Sequence, residues 1–126
     1  MDANGDCYQA AGRYIMDACA ADSRCEYILV HAEVIGQGQL QGIPYGHAWV
    51  EDPQGRVHDY SNGRNLIMPK NVYYLLGNVE QSVVWTDEGR VERTPKIYRY
   101  TWSEASKFML ETEHWGPWEL ETESGF

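Results

Sequence analysis

The chain predicts an α+β domain in which an N-terminal helix packs on an antiparallel sheet of about five strands and a further helix follows at the C-terminal end. Three observations predict it. Apolar residues recur at spacings of three and four just after the N-terminus, segments of alternating polarity bounded by Gly, Asn and Pro fill the middle, and a strong helix-start signal stands at Thr101.

The first helix is expected from Cys7 to about Asp22. Asp6 reads as its N-cap, with Gln9 three residues on completing a capping-box pattern. Ala11, Tyr14, Ile15, Ala18 and Cys19 make its apolar stripe, so Cys19 reads as a core residue. Gly12 weakens the helix by up to ~1 kcal/mol relative to Ala, which suggests close approach of another backbone. Glu26 to Ile35 reads as a strand, with Ile28, Val30, Ala32 and Val34 facing the core and His31 on the opposite, sheet-surface side. The glycine-rich segment 36–42 reads as a mobile connection, either a long hairpin loop or a flap over a cleft. Tyr45–Asp52 and Arg56–Tyr60 form a hairpin around an Asp-Pro-Gln-Gly turn, in which Asp52 needs no role beyond the turn. Pro69 opens a short helix that ends at Gly77. Ser82–Thr86 and Arg90–Tyr100 add two strands, the latter carrying Pro95 at an edge or bulge. Thr101 and Glu104 form a capping box for a last helix to about His114, where the imidazole suits the negative end of the helix dipole. Residues 1–118 form one domain, and 119–126 an acidic, loose tail.

Composition narrows the function. The 126 residues are enough for one self-sufficient core, and 43% hydrophobic with 23% charged residues describes a soluble globular chain. A net charge of −9 argues against general nucleic-acid binding, which needs cations to replace phosphate counterions. No apolar run approaches ~20 residues, so no membrane span is expected. The start of the sequence lacks the basic and apolar regions of a signal peptide, and the expected location is the cytoplasm. Cys19 and Cys25 could pair in principle, leaving Cys7 free, but a reducing compartment opposes it, and free thiols are expected. The spacings of Cys and His suggest no zinc site, and neither metal nor cofactor is expected.

Cys7 is the residue around which chemistry is expected. A thiol at the first turn of a helix faces unpaired backbone N–H groups, which favour the thiolate. The neighbouring Asp6 charge opposes this. Two later segments, Gly46-His47-Ala48-Trp49-Val50-Glu51 and Val57-His58-Asp59-Tyr60, supply a base and an orienting carboxylate. Strand alternation puts His47 and Trp49 on one face, and Val57 and Asp59 on one face of the next strand, so the Asp59 carboxylate can meet the His47 ring. A carboxylate on one imidazole nitrogen fixes the tautomer and aims the other at a nucleophile. Alternation turns His58 away, to the surface or a supporting position. Asn62 is an alternative orienting residue. The oxyanion hole would combine the Cys7 N–H with a donor from Asn4 or Gln9, and Trp49 either lines the cleft or packs the first helix.

These segments together resemble the transglutaminase-like core of the papain-like cysteine peptidase superfamily, over roughly the first half of the chain. The resemblance implies Cys7 as nucleophile, His47 as general base and acid, and Asp59 as orienting residue. It implies a cysteine peptidase, amidase, deamidase or acyl transferase acting on a peptide or amide substrate through an acyl-enzyme. The single-domain size is also similar to NlpC/P60 relatives. The alternative is a catalytically silent copy of the fold used as a protein-binding module, for example by a virus occupying a host factor. The sequence leaves the oligomeric state open.

Overall fold

The computed structural model describes residues 6–20, 24–35, 44–86 and 88–121. The chain runs α1 (Cys7–Cys19), β1 (Ile28–Ile35), β2 (Pro44–Glu51), β3 (Arg56–Asp59), a single-turn 3-10 helix (Ser61–Gly63), β4 (Leu66–Pro69), α2 (Lys70–Leu76), β5 (Val83–Thr86), β6 (Gly89–Glu92), β7 (Ile97–Thr101) and α3 (Trp102–Thr112). Five strands form one antiparallel sheet in the order β4-β3-β2-β1-β7, and β5 and β6 form a separate two-stranded hairpin.

The α+β class and the five-stranded antiparallel sheet agree with the sequence, but the membership of the sheet differs. Leu66–Pro69 supplies an edge strand that its short, turn-flanked sequence does not announce. The expected strand from Arg90 to Tyr100 divides at residues 93–96, and only its second part, β7, joins the sheet. Pro95 lies in that break, where a residue without an N–H costs no ladder bond.

β1 sits between β2 and β7 and is covered on both faces. Leu29, Ala48, Val50 and Tyr100 pack against Ala11, Ile15 and Cys19 of α1 and Ala105 of α3. On the other face, Val30, Ala32, Val34, Trp49 and Val57 pack with Tyr74 of α2 and Val79. This double cover explains why His31 is fully buried rather than on a sheet surface. Its ring sits among Tyr8, Tyr100 and Trp118, at centroid distances of 4.9, 5.2 and 4.9 Å. Among the described residues neither ring nitrogen has a hydrogen-bond partner, and burial pushes the pKa down to about 3.

Local signals act as their chemistry predicts at α3 and not at α1. Thr101 Oγ1 accepts from the Glu104 N–H at 3.2 Å while Glu104 accepts from the Thr101 N–H at 3.1 Å, the reciprocal capping box. The expected Asp6–Gln9 box does not form: Asp6 caps α1 through its carbonyl, which accepts from Ala10 N at 2.8 Å, and its side chain makes no cap bond. Gly12 answers the approach of a side chain rather than a backbone, since a Cβ there would lie 2.5 Å from the Trp115 ring. Cys19 and Cys25 form a disulfide with Cα atoms 5.2 Å apart, overturning the expectation of free thiols. Leu120 is buried, so the chain stays packed to that residue. Among the described residues, no helix is long and apolar enough to cross a membrane. The expected flap at 36–42 lies outside the described residues.

Candidate active site

The local sequence builds the site at the open end of the β2–β3 ladder. β3 pairs with β2 through His58↔Val50 and Val57↔Glu51. Beyond those pairs, the Asp59 carboxylate and the His47 ring meet, with Nε2 2.9 Å from Oδ2. Both are buried. Cys7 opens α1, is 1% exposed, and lies close enough to the His47 ring to favour its protonated form. The carboxylate occupies Nε2, which leaves Nδ1 as the nitrogen available to the thiol. The structure therefore brings Cys7, His47 and Asp59 into one chain of contacts.

Asp59 is held by more than His47. Oδ1 accepts from the Ser61 N–H at 3.0 Å and the Ser61 hydroxyl at 2.5 Å, and Oδ2 accepts from the Tyr73 hydroxyl at 2.7 Å and Arg64 at 3.4 Å. Burial opposes the charge, but these donors and the His47 ring outweigh it and hold the carboxyl well below the usual carboxylate range. The same balance acts on His47. Its burial disfavours the imidazolium, while the hydrogen bonds and charges of Asp59 and Cys7 favour it and raise the pKa to about 9. At neutral pH the ring is cationic. Burial and the Asp59 charge push the Tyr73 hydroxyl far up, so it remains a donor.

Asp6 directs its carboxylate away from the helix. Oδ1 accepts from Asn62 N at 2.6 Å, tying the residue before Cys7 to the 3-10 helix that follows Asp59. Asn62 is exposed and takes a left-handed conformation (φ 54°), and its backbone N–H makes that contact; Asp59, not Asn62, holds His47. Gln9 is exposed on α1, and Asn4 lies outside the described residues. Trp49 packs against Tyr73 and Tyr74 of α2, not against the first helix, and donates its indole N–H to Glu51 at 3.0 Å. Full burial leaves it no face for a substrate.

His58 is buried rather than at the surface. Its Nε2 lies 2.7 Å from Asp52 and its Nδ1 3.0 Å from the Tyr14 hydroxyl, so adjacent residues of β3 serve two networks on opposite faces. Asp52 also accepts from Gln54 N, Arg56 N and Arg56 Nε at 2.9, 3.0 and 2.7 Å. Burial raises its pKa, but the His58, Arg56 and Gln54 hydrogen bonds prevail and bring it down to about 2. His114 is exposed beyond α3, and its Nδ1 accepts from Gly116 N at 3.0 Å, which shapes the following turn.

Sequence reasoning missed Ser61, Arg64 and Tyr73. Ser61 carried a readable signal, because an aspartate readily accepts the N–H two residues on. Tyr73 carried none, since its part depends on α2 folding back over β3. A cleft of about 340 Å³ opens beside His47, walled by Tyr45, Arg64, Leu66, Met68, Tyr73 and Leu76. No protein-family model matches this chain, and no curated protein or solved structure shows a significant similarity to it.

Proposed function

We propose that the protein is a thiol hydrolase or acyl transferase of papain-like type, acting on an amide through Cys7, His47 and Asp59. The observation that carries this reading is the His47 ring held between a thiol and a buried carboxylate. Cys7 sulfur attacks the carbonyl carbon, and the tetrahedral oxyanion is received by backbone N–H groups at the start of α1. The C–N bond breaks as His47 passes its proton to the departing amine. The neutral His47 then takes a proton from water or an acceptor amine, which attacks the thioester carbonyl and releases the thiolate. Asp59 fixes the ring throughout and stays ionised.

p-Nitrophenyl acetate tests the reading without knowledge of the natural substrate. Thiolate attack transfers the acetyl group to sulfur and releases nitrophenolate, so the expected result is an acetylated Cys7 peptide by mass spectrometry. Acetylation is expected to be absent in Cys7→Ala and slowed by at least ~10²-fold in His47→Ala. Acylation elsewhere in the chain, with Cys7 untouched, overturns it.

A second reading is favoured by the 1% exposure of Cys7: a silent fold that binds another protein. It expects Cys7 in the folded protein to resist iodoacetamide at every pH at which the fold persists. The enzymatic reading expects alkylation well below the free-thiol pKa of ~8.5.

A further inference from the structure

The cleft beside His47 has a one-sided chemistry. Its described lining includes the general acid, His47, and not the nucleophile, Cys7. Apolar side chains from β1, β4 and α2, including Val34, Leu66, Met68 and Leu76, line it together with Tyr45 and Tyr73. Among the described residues of this lining, Arg64 is the charged side chain besides His47, and none is a carboxylate. The Arg64 guanidinium is half exposed and anchored on Asp59 at 3.4 Å, so it presents positive charge at the rim.

We propose that this cleft is the leaving-amine subsite and that it selects an amine carried by an apolar residue, rejecting basic ones. The inference rests on the thiol mechanism above. His47 must reach the amine nitrogen to protonate it, and therefore the part of the substrate attached to that nitrogen occupies the cavity that His47 walls. A lysine or arginine side chain there meets the Arg64 guanidinium, and among the described lining residues no carboxylate pairs it. An aliphatic side chain covers Leu66, Met68 and Leu76 and loses nothing polar.

The same subsite binds an attacking amine in the reverse step, which makes it measurable without the natural substrate. Acetyl-Cys7, formed from p-nitrophenyl acetate, is offered leucinamide, glycinamide, lysinamide or glutamic acid α-amide. The amine nitrogen attacks the thioester carbonyl, its proton passes to His47, the C–S bond breaks, and acetylated amine and thiolate are released. Leucinamide is expected to accelerate loss of the acetyl group roughly tenfold more than lysinamide, with glycinamide between them. Arg64→Glu is expected to bring lysinamide above the glutamic acid amide, and Met68→Ser to remove the leucinamide advantage over glycinamide. Each variant is read as a ratio between amines on the same acyl-enzyme, so a general loss of rate does not affect it. Formation of acetyl-Cys7 that decays with equal sensitivity to all amines overturns the subsite and leaves the thiol mechanism standing. Failure to form acetyl-Cys7 overturns both.

Discussion

Asp59 shows how a buried charge is kept affordable at the scale of single residues. Five hydrogen bonds converge on it, from His47, both groups of Ser61, Arg64 and Tyr73. An ionised carboxylate with so many donors stays charged at any pH the fold tolerates, and its charge is what holds the proton on His47. Asp59→Asn is therefore expected to lower the pH at which His47 loses its proton, about 9 in the native protein, and an NMR titration of the imidazole checks this. An unmoved midpoint would mean that another group holds the imidazolium. Tyr73→Phe removes one donor to a charged acceptor and is expected to cost about 1.5–3 kcal/mol by urea unfolding. Ser61 and Asp59 were within reach of sequence reasoning because they are two residues apart in the chain. Tyr73 was not, since its hydroxyl meets Asp59 only after fourteen residues of chain have turned through β4 and α2.

Among the elements, α1 shows where propensity and packing part company. Replacing a mid-helix glycine by alanine in isolation gains up to ~1 kcal/mol, yet a Cβ on Gly12 would lie 2.5 Å from one Trp115 ring atom and 3.2 Å from Met109. Gly12→Ala is expected to destabilise by about 1–3 kcal/mol in chemical denaturation, the range for overpacking, rather than to stabilise. A rise in the midpoint would show that the Trp115 ring moves aside freely. The helix is also pinned laterally, because Tyr14 bonds His58 and Asp6 bonds the backbone of Asn62. Both partners lie more than forty residues away, and this is why the sequence could place Cys7 at a helix start but could not say what holds it there. The α3 capping box was fully legible, since all its partners lie within four residues. The β4 edge was illegible for the opposite reason: its four residues become a strand only by pairing with β3.

Across the whole molecule, two buried histidines oppose one another in the response to pH. His47 binds its proton more tightly when folded, so its contribution is fully present below about 6.5 and is lost as pH rises through about 9. His31 holds its proton less tightly when folded, with a value of about 3, so its contribution is present above about 6.5 and is lost as pH falls below it. Stability is expected to peak near pH 6.5, where neither loss has begun, and urea midpoints across pH check this. In His31→Phe the acid-side decline should be shallower by up to about 1.4 kcal/mol per pH unit. Equal slopes in the two proteins would show that His31 is not the source. The arrangement of layers has a further outcome for folding kinetics. Cys7 belongs to the core under α1, whereas His47 shares a strand face with Trp49, under α2, and the sulfur meets the ring only where β3 stops pairing with β2. Half a molecule, with one core condensed and the other open, would hold a thiol and an imidazole that have not met. Recovery of thiol reactivity during refolding should therefore trail the burial of whichever core closes first and coincide with the second, so the reaction itself times the last stage of assembly.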